Sequence, residues 1–388
     1  MLPQLEYSIL TQDSEDIQQL ITIIDQCFVG FPGSEAYINL VGVENFRIIR
    51  QSRQIMGGLA AIPMSQWFGG ERVPMTGIAA VGIAPEYRGG GVAIAMLEHT
   101  VRELYDNGVP ISVLYPATQR LYRKAGYEQA GIYSTWEIPT QTIQVREQPL
   151  PLKPLVPINL EAFYPIYEQQ ARLINGHLDR NTFHWQRLIQ SKDKETVYAY
   201  LIGEIDKPEG YLIFTQDNGI LQIRDWAILT RDAARSFWSF LANHRSQIEQ
   251  IQWYSSSVDS LSLLLPEQTA KIISQFRWFL RVIDVVKALE KRGYPLGISV
   301  ELHLDIRDNL IPENNSKFTL SVSNGRGEVS QGGNGDLQLD IRGLAPLYTG
   351  LFTPYQLQLA GQLAGTETAL LAASQIFAGV SPWMPDFF

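Results

Sequence analysis

Apolar runs and turn residues divide the chain into blocks. A helix is predicted over about 14–27, then an irregular glycine-rich segment from Gly30 to Gly33. Runs at 46–49, 54–68 and 72–84 predict a meander of strands, with Gly69 and Gly70 as the hairpin turn between the last two. Val92, Ala95, Met96, Leu97, Val101, Leu104 and Tyr105 then fall at helical spacing within 90–107, and Asn107 and Gly108 supply a left-handed cap. Strands at 110–115 and 133–138 complete a mixed sheet with helices on both faces. Pro149, Pro151, Pro154 and Pro157 mark a boundary.

After that boundary the pattern predicts a helix over 164–173, strands at 196–202, 210–215 and 221–229, and a long helix from Asp232 to about Ile248. A third block has a helix over 285–291, strands at 298–306, 317–322, 327–331 and 336–341, and helices over 344–351, 355–360 and around 366–377. Two or three α+β domains are the expectation for 388 residues.

Composition narrows the class. With 45% hydrophobic and 18% charged residues the chain reads as a globular protein, and no apolar run is long enough to span a bilayer. The first six residues carry no basic region ahead of an apolar core, so no secretory leader is expected and the default location is cytoplasmic. Net charge is −9, which disfavours nucleic acid and favours cationic partners such as amines. A lone cysteine excludes internal disulfides, and five scattered histidines suggest no metal site. Cys27, in an apolar run, reads as core; a thioester-forming nucleophile is the other reading.

The chemistry concentrates at 81–93. The strand Val81, Gly82, Ile83 runs through Pro85 into Arg88, Gly89, Gly90 and Gly91, and the next helix begins at Val92 and Ala93. Three glycines remove the Cβ atoms that would keep an anion from the backbone, and the helix N-terminus offers free N–H groups to a pyrophosphate. A Walker loop is excluded because no Lys-Ser or Lys-Thr follows, and a dinucleotide fingerprint because its last glycine is missing. The pattern Arg88-x-x-Gly91-x-Ala93 after a Val-x-Ile strand resembles the acyl-CoA loop of the GNAT superfamily of N-acetyltransferases. Downstream, Leu121, Tyr122 and Arg123, closed by Gly126 and Tyr127, resemble its second signature.

The order of blocks resembles the Eis-like (enhanced intracellular survival) acetyltransferases over essentially the whole length, including the run from Leu280 to Leu289 and the terminal Phe388. The resemblance implies a catalytic GNAT domain (1–147), a degenerate GNAT-like domain (148–283) and a sterol-carrier-protein-like domain (284–388). The turn from Ala227 to Ala234 has no glycine, which fits a copy that cannot cradle a pyrophosphate; an unrelated α/β domain is the competing reading. The family further implies acetyl-CoA as cosubstrate without a metal, a hexamer, and acetylation of a cationic amine, aminoglycosides included; charge and the lack of a spanning run lead to neither nucleic acid nor membrane as an expected partner. By the same resemblance Val81, Gly82 and Ile83 meet the pantetheine arm and thioester. Arg88, Gly89, Gly90, Gly91 and Ala93 line the pyrophosphate, although relatives often have arginines where Gly89 and Gly90 stand. Tyr122 is the general acid, and the Phe388 carboxylate the base.

Elementary chemistry agrees. Direct attack on a thioester needs an acceptor for the ammonium proton, donors at the oxyanion and an acid for the leaving thiolate. A phenol with pKa about 10 is reliably protonated at neutral pH. An α-carboxylate of pKa about 3.3 to 3.7 is a weak base, so Phe388 suits an orienting and assisting role. For Tyr122 the competing role is plain core, and for the apolar tail, packing on its own domain. A binding protein acting through the sterol-carrier-like block is the alternative function.

Overall fold

Why the first strands fold together is visible in their ladder. The computed structural model describes residues 5–28, 33–190 and 195–388; of the expected irregular segment only Gly33 lies within them. The chain packs as two units. One contains the residues up to Ala130, Trp278–Gly379 and Phe388, the other Gly131–Arg277 and Val380–Phe387.

In the first unit β1 (Glu6–Ile9) leads into α1 (Ser14–Cys27), which starts where Asp13 accepts the Glu15 N–H at 2.8 Å. This helix lays Leu20, Ile23 and Ile24 on the sheet. After α2 (Ser34–Val41), β2 (Phe46–Gln51), β3 (Gln54–Phe68) and β4 (Glu71–Ile83) form an antiparallel meander, with β1 on its edge. Gly69 and Gly70 turn the long hairpin with φ of 60° and 82°, the left-handed pair that matches strand twist. Then come α3 (Val92–Asp106), β5 (Ile111–Leu114), α4 (Gln119–Lys124) and β6 (Glu128–Pro139). Val92, Met96, Leu97, Val101 and Leu104 of α3 share a core with Leu59, Ile78, Leu114 and Tyr122.

The chain enters the second unit within β6 and continues through β7 (Leu152–Pro154), α5 (Tyr164–Ala171), α6 (Thr182–Ile189), β8 (Val197–Glu204), β9 (Lys207–Asp217), β10 (Ile220–Ile228), α7 (Arg231–Ala242) and β11 (Gln250–Ser255). Strand order here is β6-β11-β10-β9-β8-β7, with β10 and β11 parallel. The helix expected to reach Ile248 ends at Ala242, because Asn243 and the following residues bond back as turns.

The chain returns within β12 (Lys271–Val282), whose Phe279–Val282 segment pairs with β5. The remainder is α8 (Val285–Lys291), β13 (Ser299–Arg307), β14 (Ser316–Ser323), β15 (Arg326–Gln331), β16 (Leu337–Asp340), α9 (Ile341–Thr349), α10 (Pro354–Leu359), β17 (Leu363–Gly365) and α11 (Glu367–Ile376). Its five strands run β15-β14-β13-β16-β17. Ile341, expected in a strand, opens α9 instead, since Asp340 caps that helix by accepting the Arg342 and Gly343 N–H groups. No helix among the described residues is long and apolar enough to cross a membrane.

Candidate active site

The site begins with an irregularity in β4. This strand runs parallel to β5 only from Met75 to Ile78, then continues five residues to Ile83 with no ladder on its β5 side. Opposite, its register with β3 slips: one residue separates Gly58 from Ala60, while two separate Ala79 from Gly82. The extra residue is a bulge at Ala80, held at φ 48°, a conformation an alanine in a strand does not adopt without compensation. A bulge turns the strand, so β4 and β5 part at their carboxyl ends, where open α/β sheets place ligands. Val81, Gly82 and Ile83 lie on the freed edge.

Beyond Ile83 the chain makes one tight turn at Pro85–Tyr87 and reaches the glycines. Gly89 and Gly91 have φ of 80° and 86°, and a Cβ on either would meet nothing within 4 Å among the described residues. Space is open, and the backbone conformation excludes side chains. Gly91 caps α3 without a side-chain bond, and the helix has no acid in its first turn. Its first N–H groups therefore remain available to an anion, with the helix dipole behind them. Arg88, at the surface, lies over the end of β4, where its Nε donates to the Ile83 carbonyl at 3.0 Å and its Nη2 to Cys27 Sγ at 3.2 Å. Cys27 is half-buried beside that carbonyl, 3.5 Å from it, so it is neither plain core nor isolated. Ala93 packs partly against the core containing Ile83 and Val92, as Val81 does.

Tyr122 sits on α4 in this same core, 4% exposed, edge-on to Tyr127 with ring centroids 6.3 Å apart. Burial first, and the neighbouring Tyr127 second, push its hydroxyl above the ordinary phenol range. The two tyrosines differ. Tyr127 shares a 2.8 Å hydrogen bond with Ser112 Oγ, which partly offsets burial and leaves its pKa at about 12, whereas no such bond fixes the Tyr122 hydroxyl among the described residues. Gly126, at φ 84°, is glycine for a second reason: a Cβ there would overlap the Arg281 guanidinium. Arg281 is fully buried and bonds Asp308 at 2.7 Å.

Phe388 lies on the other face of β4. A Cβ on Gly77 would overlap the Phe388 ring and the Met64 methyl, and the ring also meets Tyr115 edge-on at 6.1 Å. Ile78, the next residue, faces the core of Tyr122, because neighbouring strand residues point to opposite faces. The structure thus gathers Val81, Ile83, Ala93 and Tyr122 about one core, and places Phe388 across the strand from it.

The second unit repeats the topology with different chemistry. The β10–β11 pairing is again parallel and short, Ile220–Gln222 against Gln250–Gln252, and β10 again carries a register shift at Ile223/Asp225. Here the indole N–H of Trp226 donates to the Tyr254 carbonyl at 3.0 Å, tying β10 to β11 beyond their ladder. The helix start is also spent: Thr230 accepts the Ala233 N–H at 3.1 Å, and Asp232 puts a negative charge in the first turn of α7. Sequence reasoning identified the missing glycine; it missed Trp226 and the bulges. Among the described residues no group of three or more His, Cys, Asp or Glu side chains is arranged to hold a metal.

Comparison with known proteins agrees with this geometry. Residues 8–130 and 176–282 each match an Acetyltransferase (GNAT) domain family, and 285–385 match the Sterol carrier protein domain family. The chain is similar to a GCN5-related N-acetyltransferase from Anabaena variabilis, with 59% identity over 99% of this chain and 100% of that one and a TM-score of 0.96. A GCN5-related N-acetyltransferase from Kribbella flavida is 26% identical over 99% and 98% of the two chains, with a TM-score of 0.86. The N-acetyltransferase Eis of Mycobacterium tuberculosis is 23% identical over 373 residues, 89% of each protein. The GNAT domains imply acetyl-CoA as the cosubstrate. With an open glycine loop before the helix of the first copy and a glycine-free, capped turn in the second, the chain belongs to the Eis-like GCN5-related N-acetyltransferases.

Proposed function

We propose that this acetyltransferase acts on primary amines of a cationic acceptor, either an aminoglycoside-like small molecule or an amine of a protein or peptide, by direct attack in a ternary complex. The observation that carries the reading is the parting of β4 and β5 at the Ala80 bulge, with Tyr122 buried on one side of β4 and Phe388 on the other. Val81, Gly82 and Ile83 are assigned to the pantetheine arm and the thioester carbonyl. Arg88, Gly89, Gly90, Gly91 and Ala93 are assigned to the pyrophosphate.

In this scheme the amine nitrogen bonds to the thioester carbon, and backbone N–H groups on the freed edge of β4 take the developing oxyanion charge. As the C–S bond breaks, the Tyr122 hydroxyl gives its proton to the thiolate. The Phe388 carboxylate orients the ammonium and helps pass its proton to water. A negative chain, at −9, favours a cationic acceptor.

The reading includes three domains at 1–147, 148–283 and 284–388, a homohexamer, a cytoplasmic location and no nucleic-acid or membrane partner. A lipid-carrier role is not favoured, since the cavity of about 580 Å³ that the sterol-carrier-like segment helps to line is rich in arginine. Release of CoA thiol is to be measured with aminoglycosides, polyamines and lysine peptides. Turnover with at least one cationic amine and intersecting initial-rate lines are expected; inertness toward all of them, or the parallel lines of a covalent acetyl-enzyme, overturns the scheme.

A further inference from the structure

The first unit holds a cavity of about 580 Å³ where α4, β12 and the ends of β13, β16 and β17 converge. It is distinct from the glycine loop. Its lining contains five basic side chains, Arg123, Lys124, Arg281, Arg307 and Arg342, within a chain that is acidic overall. The acids nearby are already committed. Asp308 takes Arg281 on both oxygens and also accepts from the Leu310 N–H and Asn314 Nδ2. Asp340 caps α9. Glu128, beside the cavity, is clamped between Arg123 and Arg342, at 2.8 and 2.9 Å.

Five bases against three acids leave two positive charges unmatched. Lys124 and Arg307 are exposed and take no ion-pair partner among the described residues. The stronger sign is Arg281. Its side chain is fully buried, yet among the described residues Nε and Nη1 have no hydrogen-bond acceptor, and neither has Nε of Arg342. Buried N–H groups on a cation are costly to leave unmet, and a cavity beside them is where an acceptor would sit.

We propose that this cavity is a second anion site, which binds a phosphate-bearing small molecule separately from acetyl-CoA. A phosphate monoester carries about −1.5 to −2 charges, which matches the surplus, and guanidinium forks fit its oxygens. The volume lies in the usual range for small-molecule pockets, roughly 300 to 1,000 Å³, which leaves room for a sugar- or nucleoside-sized remainder. Arg123 and Lys124 directly follow Tyr122 on α4, so the ligand would bear on the helix that carries the proposed acid.

The test is calorimetric titration of the full chain kept saturated with CoA, so that the glycine loop is filled. The probes are inorganic phosphate and ribose 5-phosphate, with ribose as control. Both phosphates are expected to bind and ribose not, with ribose 5-phosphate tighter if the remainder is used. The Lys124→Gln/Arg307→Gln double variant, at two exposed positions, is expected to bind both phosphates at least about tenfold more weakly with an unchanged Tm, a loss of about 1.4 kcal/mol. Gly91→Glu without CoA is expected to keep phosphate binding. Absence of binding by either phosphate, or equal affinity in the double variant, overturns the proposal and leaves a water-filled cavity.

Discussion

Tyr122 is the acid of the proposed scheme, and its environment decides its protonation. Burial and the adjacent Tyr127 raise its pKa, so the hydroxyl remains a proton donor across the neutral and mildly alkaline range. Tyr122→Phe keeps the ring in its core and removes the proton; kcat is expected to fall by about 10² to 10⁴ with acetyl-CoA affinity little changed. The sign of the shift sets the pH profile as well. Loss of activity through ionisation of Tyr122 belongs above the ordinary phenol value of about 10. A wild-type alkaline limb centred below that value and absent from Tyr122→Phe would contradict the assignment. Gly126, four residues on, is tested through stability. At φ 84°, with the Arg281 guanidinium where a Cβ would go, Gly126→Ala must both strain the backbone and displace a buried ion pair. The backbone part alone costs about 1–2 kcal/mol. A larger total loss is expected in urea unfolding, and a neutral substitution would mean that Arg281 is not held there.

At the scale of elements, two helix starts with the same topology differ in whether their N–H groups are left open to an anion. The glycines before α3 have open space around them among the described residues and the first turn of α3 carries no acid, whereas α7 begins with a Thr230 cap and Asp232. Gly91→Glu places bulk and negative charge on the proposed anion site and strains the φ of 86°, so acetyl-CoA binding by calorimetry is expected to vanish while circular dichroism still reports the fold. This contrast was legible in the sequence because glycine has one outstanding physical property, and runs of it before a helix have few other uses. The Ala80 bulge was not legible, since alanine carries no sign of positive φ and the irregularity arises from two strands losing register. β11 was not legible although Gln250–Ser255 alternates between half-buried and buried positions, since the helical pattern that starts at Asp232 continues almost to its first residue. α6 had a local signal in Asn181, whose side chain accepts the His184 N–H, but its eight residues are too few for a clear helical period.

At the scale of the whole chain, the tail belongs to two units: Val380–Phe387 pack with the second and Phe388 with the first. In the second unit the tail is tied by Trp383, whose N–H donates to Asn175 O at 3.1 Å, and by Asp386, which accepts from Arg180 Nε at 2.9 Å. Arg180 is almost wholly buried and also bonds both oxygens of Asp225. Such a hold keeps Val380–Phe387 ordered within the second unit, where many termini fray. If the purpose is to deliver the Phe388 carboxylate, charge and position must both matter. Semisynthetic protein ending in the Phe388 acid is to be compared with its amide, which keeps the shape and deletes the charge. The amide is expected to lower kcat/KM for the cationic amine, with acetyl-CoA affinity and oligomer size unchanged. A C-terminal extension, which moves the charge away, is expected to do the same. Equal kcat/KM for acid and amide at every pH would make the tail packing alone, with Phe388 filling the space that Gly77 leaves, and the base would then have to be sought on the walls of the parted strands.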